Sequence, residues 1–255
     1  MYGKAMQEKL ERVEMGLGML GSFGGKNLPT DVVRNRPVIF VHGITYRAGN
    51  WIPIHLHFSL NGYNSMELYA TTWGDGGITP LCEKTFTCQD VKQIRDFIIA
   101  VAEYTGSEVD IVAYSGGVAI SRKAILGGAC VDMPGEELGE RLTGYVNTFV
   151  AVAGVAFGME TCLTQKGGNL INGVNCNSQY MRDINFPDNR YEGKFSYYIY
   201  SDTDEIIGQQ CCGKLCPELK NAMGFSRQTN MPHANVILMT EDVQLKMIQH
   251  LWKNV

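Results

Sequence analysis

The sequence predicts an α/β fold: a mostly parallel central sheet with helices on both faces. Three observations predict it. Short apolar runs rich in β-branched residues, at 37–41, 68–73, 109–114, 146–152 and 195–200, read as strands, and the nearly continuous ones as strands covered on both faces. Segments of helical period alternate with them. At 255 residues, with no internal repeat or low-complexity block, the chain suits one domain with a full core.

In chain order, residues 4–15 read as a short amphipathic helix with Met6, Leu10 and Val13 on one face, followed by a flexible glycine-rich stretch to Gly25. Residues 1–36 are therefore expected to be an N-terminal arm and residues 37–255 a single domain. Pro37 opens the first strand, a place proline tolerates, unlike a strand's middle. The run 68–73 ends at the turn Gly74-Asp75-Gly76-Gly77. Thr87 then caps a helix, with Asp90 three residues on and Val91, Ile94, Ile98 and Val101 at helical spacing, closing near Gly106.

After the run 109–114, Val118, Ile125 and Leu126 share one side of a helix that Gly127-Gly128 stops. Strand 146–152 ends in Ala153-Gly154. Residues 157–190 have no clean period and are rich in Gly and Asn, so they read as a long, cap-like excursion over one end of the sheet. Strand 195–200 runs into Ser201-Asp202-Thr203-Asp204. Thr240 caps a last helix carrying Val243, Met247 and Leu251, with His250 inside it.

Composition narrows the function. A formal net charge of −4 and no dense Lys/Arg cluster speak against nucleic acid or an anionic membrane surface as partner. No window has the length of a transmembrane helix. Eight cysteines, mostly in loops, suggest disulfides and an oxidising compartment, with reduced cytosolic thiols as the alternative. Cys162 and Cys176 are the first expected pair. A zinc site on Cys211, Cys212 and Cys216 lacks a second pair at ligand spacing. Charges at Lys4, Glu8, Lys9, Glu11, Arg12 and Glu14 interrupt any signal peptide, so a secreted protein would be represented here by a mature or truncated form.

The chemistry centres on Ser115. It stands where a strand ends and a helix begins, flanked by the small residues Ala113 and Gly117, in the small-x-Ser-x-Gly pattern of a nucleophile elbow. The alternatives are an ordinary turn serine or a glycine-rich helix N-terminus that binds phosphate. His42-Gly43, at the end of an earlier strand, begins a loop that can aim a backbone N–H at the oxyanion of an attacked carbonyl. Ile44 and Gly116 are the candidate donors, and His42 itself is expected to fix the local backbone.

Elbow hydrolases bring their triad in the order serine, acid, histidine. His42, His55 and His57 precede Ser115, which leaves His233, in a loop ahead of the last helix, as the histidine placed to act. Asp202, Asp204 and Glu205 all follow strand 195–200, and Asp204 is the choice because it lies free in the loop.

Together His42-Gly43, Ala113-Tyr114-Ser115-Gly116-Gly117, Asp204-Glu205-Ile206-Ile207 and His233 resemble the lipase class 2 family of α/β-hydrolases, small secreted bacterial lipases and their cysteine-containing animal relatives. The likeness spans the chain from about Gly21 onward. It implies an α/β-hydrolase fold and a carboxylic ester hydrolase of triacylglycerol-lipase type, with no metal and no cofactor. An ester or lipid substrate, also at a lipid interface, is the partner so implied, and the chain is expected to act as a monomer. Two residues depart from the family pattern: Tyr114 stands where His is common, and Gly116 where Met is common. The second change is expected to leave a roomier acyl pocket, and residues 157–190 are expected to cover the site. The rival reading is a catalytically silent binding protein on the same scaffold.

Overall fold

A computed structural model describes residues 4–28 and 30–253. The chain runs through α1 (Lys4–Glu11), β1 (Ser22–Phe23), β2 (Val38–Val41), α2 (Ile52–Leu60), β3 (Leu68–Thr71), α3 (Cys88–Thr105), β4 (Val109–Tyr114) and α4 (Gly116–Leu126). It continues with β5 (Val146–Val152), α5 (Gln179–Asn185), β6 (Phe195–Ser201), β7 (Gly224–Gln228), α6 (His233–Leu238) and α7 (Glu241–Ile248). The strands form one seven-stranded sheet in the order β1-β3-β2-β4-β5-β6-β7. Only β1 is antiparallel among these pairings, so β2 to β7 all end at the same edge.

Because side chains alternate across a strand, the buried strands feed two cores. On one face Ile39, Val41, Ile111, Ala113 and Phe149 pack with Ile94 and Ile98 of α3 and Ile120 of α4. On the other, Phe40, Val112, Val150 and Ile199 pack with Ile54 and Phe58 of α2, Val236 of α6 and Ile248 of α7. Burial on both faces explains why β2 reads as an unbroken apolar run, and β4 and β5 as runs broken only by Asp110 and by Asn147-Thr148. Local signals also act as expected at α3: the Thr87 hydroxyl accepts from the Asp90 N–H at 3.2 Å, and Gly106 closes the helix at φ 63°.

Several expectations need correction. Helix α1 stops at Glu11, and Val13 is 71% exposed, outside the face that Leu10 packs. His250 lies beyond the end of α7, at φ 58°, and Leu251 is exposed. Thr240 stands at the N-cap of α7 as expected, but its hydroxyl donates to the Val236 carbonyl at 2.6 Å and caps no helix N–H. Strands β1 and β7 and helices α5 and α6 are too short to show a period, and α2, Ile52–Leu60, spreads its apolar residues around the whole helix.

The expected Cys162–Cys176 pair does not form. The bonds are Cys82–Cys162, Cys88–Cys130, Cys176–Cys212 and Cys211–Cys216. The excursion is thus fastened outward, by Cys162 to the loop after β3 and by Cys176 to the loop after β6. It is not closed on itself. Its buried residues, among them Val174, Tyr180, Met181 and Ile184, join the core on the α3/α4 face: Tyr180 stacks on Phe86 at 4.9 Å and donates to the Ala119 carbonyl at 3.3 Å. Beside it the buried Arg122 pairs with Glu192 at 2.9 Å and donates to the Ala156 and Ile184 carbonyls, which satisfies a charge that would be costly unpaired.

Candidate active site

Parallel pairing brings the segments after β2, β4, β6 and β7 to one edge of the sheet, where ligands of open α/β sheets bind. Ser115 joins β4 to α4 at φ 55° and ψ −125°, a conformation that costs a non-glycine residue free energy. Its surroundings hold it there. The Ser115 N–H donates to the Val152 carbonyl at 3.0 Å, and its carbonyl accepts from the N–H groups of Val118 and Val155.

Two glycines permit this close approach. A Cβ on Gly117 would lie 2.5 Å from the Val41 and His42 carbonyl oxygens, and one on Gly43 would lie 2.9 Å from the Ser115 Cβ. The small residue expected at 117 is therefore required by the packing of α4 against β2.

His42 does not reach the serine through its ring. Its Nε2 accepts from the Trp73 N–H at 2.9 Å, so Nδ1 carries the hydrogen and donates to the Gly43 carbonyl at 2.7 Å. The Trp73 indole N–H returns a bond to the His42 carbonyl at 2.8 Å. Burial pushes this imidazole down to about 3, so it stays neutral and fixes the loop that carries Ile44.

His233 is the first residue of α6, not part of an open loop. Its Nδ1 lies 2.8 Å from Asp204 Oδ2, and its Nε2 lies 3.1 Å from Ser115 Oγ. A carboxylate oxygen only accepts, which assigns the ring hydrogen to Nδ1 and leaves Nε2 free to accept from the serine hydroxyl. Asp204 Oδ1 accepts from the N–H groups of Ile206 and Ile207 at 3.0 and 2.9 Å, so the loop winds around its own carboxylate. Asp202 turns elsewhere and pairs with Arg227 at 2.9 Å.

Gly43, Ile44, Tyr46, Leu81, Tyr114, Ser115, Glu205, Ile206 and His233 are among the residues that line a cleft of about 220 Å³ over this constellation. Ile44, at its wall, packs directly on Gly116. A Cβ on Gly116 would stand 2.6 Å from Ile44 Cγ1. The room expected from glycine at 116 is therefore occupied by the Ile44 side chain. A roomier hollow, about 650 Å³, lies between α1, β1 and α3, but the hydroxyl of its serine, Ser22, donates to the Glu11 main-chain carbonyl at 2.7 Å and not to a base.

Sequence reasoning passed over two residues that contact His233. The Tyr114 ring stacks on the imidazole and its hydroxyl donates to the His233 carbonyl at 3.3 Å, while Glu205 Oε2 accepts from the His233 N–H at 3.0 Å. Their adjacency to Ser115 and Asp204 was the signal available.

The family model for lipase (class 2) matches residues 35–246. The chain belongs to the class 2 lipase family. Membership supports an ester hydrolase acting on an ester or lipid. This family member also shares its fold with solved hydrolases. The mature form of Bacillus licheniformis lipase BlEst2 aligns with a TM-score of 0.62 at 13% identity, over 89% of this chain and 97% of that one. Aspergillus fumigatus lipase B aligns with a TM-score of 0.62 at 15% identity, over 92% and 57%. Paleococcus ferrophilus monoacylglycerol lipase aligns with a TM-score of 0.51 at 13% identity, over 91% and 96%. At such identities these neighbours show the α/β-hydrolase fold alone. A comparison with curated proteins found no match. Among the described residues, no helix is long and apolar enough to cross a membrane.

Proposed function

We propose that this lipase-family chain cleaves carboxylic esters of acylglycerol type through a Ser115-His233-Asp204 triad and an acyl-enzyme. The observation that carries the reading is the hydrogen-bonded series from Asp204 through His233 to Ser115, with the serine at positive φ. A serine hydroxyl is a weak nucleophile at neutral pH. As Oγ attacks the ester carbonyl, its proton passes to His233 Nε2, and the same proton leaves on the alcohol when the tetrahedral intermediate collapses. Water then attacks the acyl-enzyme by the same route, releasing the carboxylic acid. Asp204 keeps the productive tautomer and stabilises the imidazolium. The N–H groups of Ile44 and Gly116 receive the oxyanion, and the immobile His42 loop keeps the first of them in place.

Four disulfides fit an oxidising compartment, and we place the protein outside the cell on that basis. The test of the triad is covalent labelling by a fluorophosphonate, followed by peptide mass measurement. Modification confined to Ser115 supports the reading. A folded protein that takes up no label would favour a silent binding protein instead.

A further inference from the structure

His233 is held from more directions than the triad uses. Asp204 meets its ring at Nδ1, and the very next residue, Glu205, meets its main chain: Glu205 Oε2 accepts from the His233 N–H at 3.0 Å. One loop thus sends two consecutive carboxylates to one histidine. The loop has little freedom to shift them, because the Ile206 and Ile207 N–H groups bind Asp204 Oδ1 and the Gly208 N–H bonds back to the Asp204 carbonyl at 3.3 Å. Glu205 also lines the cleft.

We propose that Glu205 is a positioning residue for His233, fixing the backbone where α6 begins so that the imidazole stays aimed at Ser115. This rests on the triad reading above. The groups facing His233 are Asp204 and Glu205 from the loop after β6, Ser115 and Tyr114 from the elbow, and Tyr46, whose ring packs on Tyr114 at 5.3 Å. The rest of α6, Ala234 to Leu238, carries no titratable side chain. Glu205 is therefore the one carboxylate beside His233 other than its ring partner among these groups. Its side chain is exposed, so its charge acts through screened solvent and weakly, whereas its hydrogen bond acts through geometry. Geometry matters here because a misplacement of about 1 Å can cost on the order of a hundredfold in rate.

Glu205→Gln keeps an acceptor oxygen and removes the charge; Glu205→Ala removes both. The measurement is kcat and KM for a neutral p-nitrophenyl ester from about pH 5 to 9, with Ser115→Ala run alongside. Glu205→Ala is expected to lose about tenfold in kcat with KM unchanged. Glu205→Gln, which keeps the acceptor for the His233 N–H, is expected to hold kcat within about twofold of wild type. Wild-type kcat in Glu205→Ala, or a loss in Glu205→Gln as large as in Glu205→Ala, overturns the proposal. If the alanine variant does not fold, Glu205→Asp, whose shorter side chain withdraws the acceptor, takes its place and is expected to lose kcat in the same way. Ser115→Ala separates the two levels: if it is inactive while both Glu205 variants behave as wild type, only Glu205 is wrongly assigned, and if it is active the triad itself fails.

Discussion

The Tyr114 ring stacks on the His233 imidazole with centroids 5.0 Å apart and 27° between the planes, and its hydroxyl reaches the His233 carbonyl. The residue before the elbow serine thus bears on the general base of the proposed mechanism. Tyr114→Phe keeps the stack and deletes one neutral hydrogen bond, worth about 1 kcal/mol. The expected result is a loss in kcat/KM of less than tenfold with the fold intact, checked by steady-state kinetics and a thermal melt.

Asp204 and Asp202 offer a clean contrast, since they lie two residues apart and only Asp204 touches His233. Asp204→Asn keeps the shape and upsets the imidazole tautomer, so turnover should fall by about four orders of magnitude. Asp202→Asn loses only a partly exposed ion pair with Arg227 and should stay within a few-fold of wild type. Kinetics of the purified variants give the ranking.

Gly116 and Ile44 should behave as a coupled pair. A methyl group at 116 meets Ile44 Cγ1 at 2.6 Å, so Gly116→Ala is expected to cost about 1–3 kcal/mol in urea unfolding. The double variant Gly116→Ala/Ile44→Ala should be less destabilised than the sum of the single changes.

Much of this was legible in the sequence, and the reasons differ by element. β4 and β5 are buried on both faces and are apolar apart from Asp110 and Asn147-Thr148, so their limits were readable. β7, Gly224–Gln228, ends the sheet with alternating exposure and has no such run. The residues of the constellation were legible because chain order excluded three histidines, and the loop after β6 offered few acids. The Cys176–Cys212 bond was not, since pairing depends on where two irregular segments meet in space. Nor was the filling of the Gly116 space, which requires knowing that the Ile44 side chain turns into it.

His42 gives the stability a pH signature. Burial lowers its folded pKa to about 3 from an ordinary 6.5, so the unfolded chain binds a proton that the native state refuses. Its contribution is fully present above about pH 6.5 and declines by about 1.4 kcal/mol per pH unit as pH falls toward about 3. Urea unfolding at stepped pH should show this slope in the wild type and a shallower one in His42→Gln.

The most direct test of the account is ester hydrolysis by purified, folded Ser115→Ala. The turn accepts alanine at the cost of the nucleophile alone, so kcat is expected to fall by about a million-fold while the circular dichroism spectrum and melting temperature stay close to wild type. Hydrolysis persisting at wild-type rates in that preparation would contradict the account.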